Sequence, residues 1–151
     1  KEKKMSVSNN IETKLLDHLL RGTTAAYTPK SDLYLALFTS DDSTGGTLEN
    51  LEQGIITNEV SGNGYTRQAI TFGAASSGSS TGPSGGAVSF TASGGSFGTV
   101  THIAICDNAN GAEDSSGIDG VLLAGALTTA KTVDDGDSLQ FATDSITVTM
   151  S

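Results

Sequence analysis

From Leu33 onward the apolar residues come in short runs with a period of two, separated by clusters of Gly, Ser, Asn and Asp. No other feature constrains the fold as much, because alternation belongs to strands and the clusters to turns. Leu33, Leu35 and Leu37 alternate with Tyr34, Ala36 and Phe38, so both faces of that run are apolar and the strand is predicted to lie inside a sheet. Further strands are predicted over 68–72, 87–90, 99–106, 121–127, 138–142 and 146–150. Turns are predicted at Ser61-Gly62-Asn63-Gly64 and at Asp134-Asp135-Gly136-Asp137. Residues 73–86, small and polar throughout, read as a loop. Gly, Ser and Thr supply 58 of the 151 residues, which excludes a long helical bundle because Gly and Thr are poor helix formers.

The one helical signal precedes this region. Asn9 can cap it, with Glu12 in the capping-box position, and Ile11, Leu15, Leu16, Leu19 and Leu20 then fall on one side. The expected fold is therefore all-β, a jelly-roll-like β-sandwich with one N-terminal α-helix over 10–21. Its leucine face should pack on the sandwich or on a neighbour. The expected organisation is a basic arm over 1–8 followed by a single domain over 9–151. A chain this long can bury enough surface to fold without metals or disulfides.

Charge is distributed unevenly along the chain. Residues 1–30 hold six basic and three acidic side chains, whereas residues 31–151 hold only Arg67 and Lys131 against fourteen acidic ones. An acidic body repels phosphate backbones, so nucleic acid is not an expected partner for it. The cations available to an acidic neighbour are Lys1, Lys3, Lys4, Lys14, Arg21 and Lys30, and these are the candidate partner-binding residues. No stretch approaches the 18 apolar residues of a membrane span, so no membrane partner is expected.

The apparent catalytic and metal motifs lack the context their chemistry needs. Gly78-Ser79-Ser80-Thr81-Gly82 has the spacing of a nucleophile elbow but lacks the strand before and the helix after that would present the serine. His18 has no partners at metal-ligand spacing, and His102, inside a predicted strand, is expected to be structural. The stretch Asp107-Asn108-Ala109-Asn110-Gly111 has Ala at the third position of a calcium loop and no acidic residue closing it. Cys106 sits in an apolar run and is expected to be a buried thiol. The expectation is a non-enzyme, with no catalytic, cofactor-binding or metal residues and no cofactor.

Several stretches carry a family resemblance. They are 15–23, Leu33–Phe38 with Thr39, Asn58-Glu59-Val60-Ser61-Gly62-Asn63-Gly64-Tyr65-Thr66-Arg67-Gln68, 71–75, 98–107 and 125–137. Together they resemble a family of small virion structural proteins of tailed bacteriophages, variously labelled tail-fibre proteins and similar in size and character to capsid cement proteins. The resemblance implies a capsid cement (decoration) protein stabilising the head shell at capsomer junctions. The alternative is a tail-fibre or other tail-associated structural protein. It also implies the major capsid protein, or tail proteins, as partner, self-association as dimer or trimer, and a place on the outer capsid surface or the tail.

Overall fold

The computed structural model describes residues 6–7, 9–21, 31–40, 57–110 and 120–150. Strand β1 (Ser6–Val7) leads into helix α1 (Asn9–Arg21). Then come β2 (Leu33–Phe38), β3 (Gln68–Ile70), β4 (Ser79–Gly82), β5 (Val88–Thr91) and β6 (Gly98–Cys106). The chain finishes with β7 (Val121–Val133), β8 (Ser138–Phe141) and β9 (Ile146–Thr149). A five-stranded antiparallel sheet has the order β1-β7-β6-β2-β3, and two antiparallel ribbons pair β4 with β9 and β5 with β8. The all-β class with one short N-terminal helix is thus observed among the described residues.

The alternation in β2 explains its position. Leu35 lies opposite Ile105 and Leu37 opposite Ile103, so these four share one face of the sheet. The ribbons supply Phe90, Leu139, Phe141 and Ile146 to the same core, which places both ribbons over that face. On the opposite face Ala36 pairs with Ala104, and Phe38, Cys106, Val121 and Ala124 complete a second buried cluster. Both faces of β2 over residues 35–38 and of β6 over residues 103–106 are therefore dry, as a run apolar on both sides requires.

Four elements differ from the sequence expectation. Strand β4 lies within 73–86, the expected loop, where Ser77 and Gly78 take left-handed backbone angles and Ser79–Gly82 pairs with β9. Its side chains are small and polar, so backbone pairing rather than apolar alternation holds it in the ribbon. Strand β7 runs six residues beyond the expected 127, through Thr128-Thr129-Ala130-Lys131-Thr132-Val133, because β6 extends opposite it to Gly98. Strand β1 was not anticipated; Ser6 and Val7 pair with Ala124 and Leu123, so the expected 1–8 arm ends inside the sheet.

The helix is the fourth difference. It occupies the expected residues, starting one earlier, but its leucines do not pack on the sheets: Leu16 is 56 % exposed, Leu19 67 % and Leu20 78 %. Its half-buried positions are instead Lys14 and Asp17, on the opposite side, and Ile11, at the first turn of the stripe. The sheet and ribbons already fill one another's apolar faces, leaving the helix stripe without a place in that core.

Candidate functional site

The six candidate partner-binding cations divide in two. Lys1, Lys3, Lys4 and Lys30 lie outside the described residues. Lys14 and Arg21 are both on α1, Lys14 half-buried and Arg21 exposed. Arg21 Nη1 donates to Asp17 Oδ1 at 3.0 Å, one helical turn back. The structure thus brings two of the predicted cations onto the element that also carries the exposed leucines.

A second constellation was not singled out from the residue pattern. The segment before β3 runs beside the end of β2: Thr39 N donates to Asn58 O and Val60 N to Leu37 O, each at 2.9 Å. This pairing turns Glu59 toward Arg67, which donates to it through Nε and Nη2, both at 2.8 Å, in a bidentate pair. The two side chains are only 9 % and 2 % exposed. Tyr65 donates its hydroxyl to Glu59 Oε1 at 2.8 Å and accepts from Leu37 N at 3.0 Å. Arg67 Nη1 reaches across to Asn108, donating to Oδ1 at 2.7 Å and to the carbonyl at 3.2 Å. Arg67 therefore ties the 57–67 segment to the turn after β6, while Tyr65 and the 58–60 backbone tie it to β2.

The electrostatics fix the protonation of this cluster. Burial raises the Tyr65 phenol far above its ordinary value, and the neighbouring Glu59 charge raises it further, so Tyr65 remains a neutral donor. Burial disfavours charge on Arg67, but its hydrogen bonds to Glu59 outweigh that and hold it firmly cationic. A cavity of about 360 Å³ opens beside the pair, with Thr57, Ser61, Thr66 and Asn110 on its wall. Both Glu59 oxygens and most of the guanidinium are already engaged within the protein, so the arrangement braces a loop rather than offering an acid, a base or an anion clamp. The available signal was that Arg67 is one of only two basic residues after position 30, inside a segment otherwise polar or acidic.

The residues with apparent catalytic or metal potential have structural positions. Ser80 is in β4, paired with β9, and its Oγ donates to Gly73 O at 2.7 Å. His102 is in β6 with its Nδ1 2.8 Å from Thr101 Oγ1, and His18 is exposed on α1. Cys106 is fully buried, and desolvation pushes its thiol up to about 12. In the acidic turn, Asp135 Oδ1 accepts from Gly94 N and Gly95 N at 2.8 and 3.1 Å, clasping the loop before β6. Among the described residues no group of three His, Cys, Asp or Glu could hold a metal ion, and no helix is long and apolar enough to cross a membrane. Gly111 of the calcium-like stretch lies outside the described residues.

A family model described as podophage GP4 fiber I protein gp80 matches residues 6–149. That range begins at β1 and ends at β9, so it takes in α1, the sheet, both ribbons and the Glu59–Arg67 brace. No curated protein matches the chain.

Proposed function

The chain belongs to the family of the podophage GP4 fiber I protein gp80, and from that premise we propose that it serves as a tail-associated fibre component of the virion. Membership makes it a structural protein of a tailed-bacteriophage particle. The capsid cement role, the leading expectation from sequence, yields to the tail-fibre alternative, because the matching family is described by a fibre protein. That match over nearly the whole chain is the observation that carries the reading.

The partners in this reading are neighbouring tail proteins, and the chain acts by binding alone. Support comes from the absorbed chemistry described above: Ser80 is held in a strand, and Glu59 and Arg67 saturate one another. The cations Lys1, Lys3, Lys4, Lys14, Arg21 and Lys30 are its contacts to an acidic neighbour. Exposed ion pairs contribute only about 0–1 kcal/mol each, so apolar contact supplies most of the attachment.

Copy number on purified virions tests the location. A fibre component should stain far below the major capsid protein on a gel, and gold-labelled antibody should decorate the tail. Abundance approaching that of the capsid protein, with label over the head, would restore the cement role. Removing residues 1–4, which leaves β1 intact, should weaken attachment in low salt more than in high salt; equal binding at every salt concentration would relieve the first three lysines of any role.

A further inference from the structure

We propose that Asn63-Gly64 is a site of spontaneous covalent modification, in which the Asn63 amide converts to a carboxylate, and that the native contacts of the 61–64 turn hold the reaction back. This goes beyond the location on the particle and stands or falls independently of it. Gly64 has no Cβ, so no side chain shields its backbone nitrogen from Asn63. That nitrogen attacks Asn63 Cγ and a C–N bond forms. The bond from Cγ to Nδ2 breaks, and ammonia leaves with the proton given up by the Gly64 nitrogen. Water then opens the five-membered imide at either carbonyl, leaving aspartate or its β-linked isomer. Water is the only co-reactant.

The native turn opposes ring closure through its backbone. Gly62, Asn63 and Gly64 take consecutive φ angles of +70°, +52° and +79°. A left-handed residue of this kind has ψ of about +30 to +60°. The next nitrogen then lies on the far side of the Cα–C bond from Cβ, whereas the imide needs the two on the same side. Asn63 must leave the left-handed region before it can react.

The side chain is held as well. Asn63 Nδ2 donates to Ser96 O at 2.7 Å, and Asn63 O accepts from Ser93 N at 2.8 Å. The loop that receives it is fixed from its other side, since Asp135 Oδ1 accepts from Gly94 N and Gly95 N. A Cβ at Gly95 would lie 2.7 Å from Asn63 Oδ1, so the amide is packed against this loop in addition to being bonded to it. The product cannot restore the contact. A carboxylate has no proton to give Ser96 O, and it adds negative charge to a loop that Asp134 and Asp135 already touch. A turn that has opened and reacted therefore does not close as before.

The full chain, incubated in mildly alkaline buffer with and without guanidinium chloride and read by tandem mass spectrometry of its peptides, tests this. In denaturant Asn63 should convert alongside Asn110-Gly111, the other Asn-Gly pair of the sequence. In native buffer Asn63 should convert at roughly a tenth of its denatured rate or less, because each event waits for the turn to open. Gly95→Ala, which displaces the Asn63 amide, should move the native rate toward the denatured one while the far-ultraviolet spectrum of the β body is kept. Asn63→Asp should lower the thermal midpoint. Equal rates in the two conditions overturn the proposal, as does an Asn63 that stays intact in denaturant while Asn110 converts. So does a folded Gly95→Ala chain that still protects Asn63, or an Asn63→Asp chain as stable as the native one.

Discussion

Leucine appears in this molecule in two opposite states. Leu35 and Leu37 in β2 are fully buried, whereas Leu19 and Leu20 in α1 are 67 % and 78 % exposed. Both sets sit in regular apolar patterns that a sequence reader would assign to a core. The difference lies in what each element finds opposite. β2 has β6 beside it, ribbons over one face and a second cluster on the other. The helix follows β1, at the sheet edge, outside the core that the sheet and ribbons form. Periodicity therefore shows that a face must be covered, and the topology decides whether the same chain covers it.

The sharpest contrast comes from paired truncations. Phe90, 2 % exposed, meets Tyr65 in a stacked pair and Phe141 edge-on, so Phe90→Ala should cost about 3–5 kcal/mol in urea unfolding. Leu20→Ala, at a position 78 % exposed, should change stability by less than about 0.5 kcal/mol. Equal losses would mean that the helix belongs to the body's cooperative core. Arg67→Met comes next, because it leaves Glu59 buried without its cation, at a cost of about 3–5 kcal/mol in an apolar setting and less where the cavity admits water. Pairing it with Glu59→Leu should recover part of the loss, whereas a burial-only role would make the two additive.

The Arg67 brace also marks how far the sequence could be read. Strand β2 was legible to the residue because alternation on both faces has one structural meaning, and β6, β8 and the turn at 61–64 were legible for similar reasons. Strand β4 was not, since Ser79-Ser80-Thr81-Gly82 has no apolar side chain to reveal which face is inward, and backbone pairing leaves no mark in composition. Strand β1 is two residues long, too short to show a period. Glu59, Tyr65 and Arg67 lie in a stretch that carries the family resemblance but show no role in the residue pattern, because a charged residue in a turn-rich stretch ordinarily faces solvent. Only the pairing of 58–60 with β2 turns Glu59 toward Arg67. Of the candidate cations, the structure places two on one helix, Lys14 half-buried and Arg21 paired with Asp17 of the same helix.

Alkaline pH probes the second buried face without touching the helix. The Cys106 thiol is pushed from an ordinary 9.0 up to about 12 by burial. The unfolded chain therefore releases that proton first, so the contribution is intact below pH 9 and is lost as pH rises toward 12. By pH 10 the stability should fall by roughly 1 kcal/mol relative to pH 8. Cys106→Ala should flatten that slope in urea titrations at the two pH values. A slope that survives the substitution would assign it to Tyr65, whose raised phenol acts in the same direction at higher pH.

The smallest effect is expected on the helix surface, where it separates two origins of helical stability. Asp17 precedes Arg21 by four residues, the better orientation for an ion pair along a helix, and the 3.0 Å contact is well formed. The side chains are nevertheless 36 % and 68 % exposed, so solvent and salt screen them. Asp17→Asn should therefore cost only about 0.3–0.5 kcal/mol, read as a slight loss of ellipticity at 222 nm that disappears in high salt. A loss that persists unchanged in high salt would mean that Asp17 supports the helix through something other than its charge on Arg21.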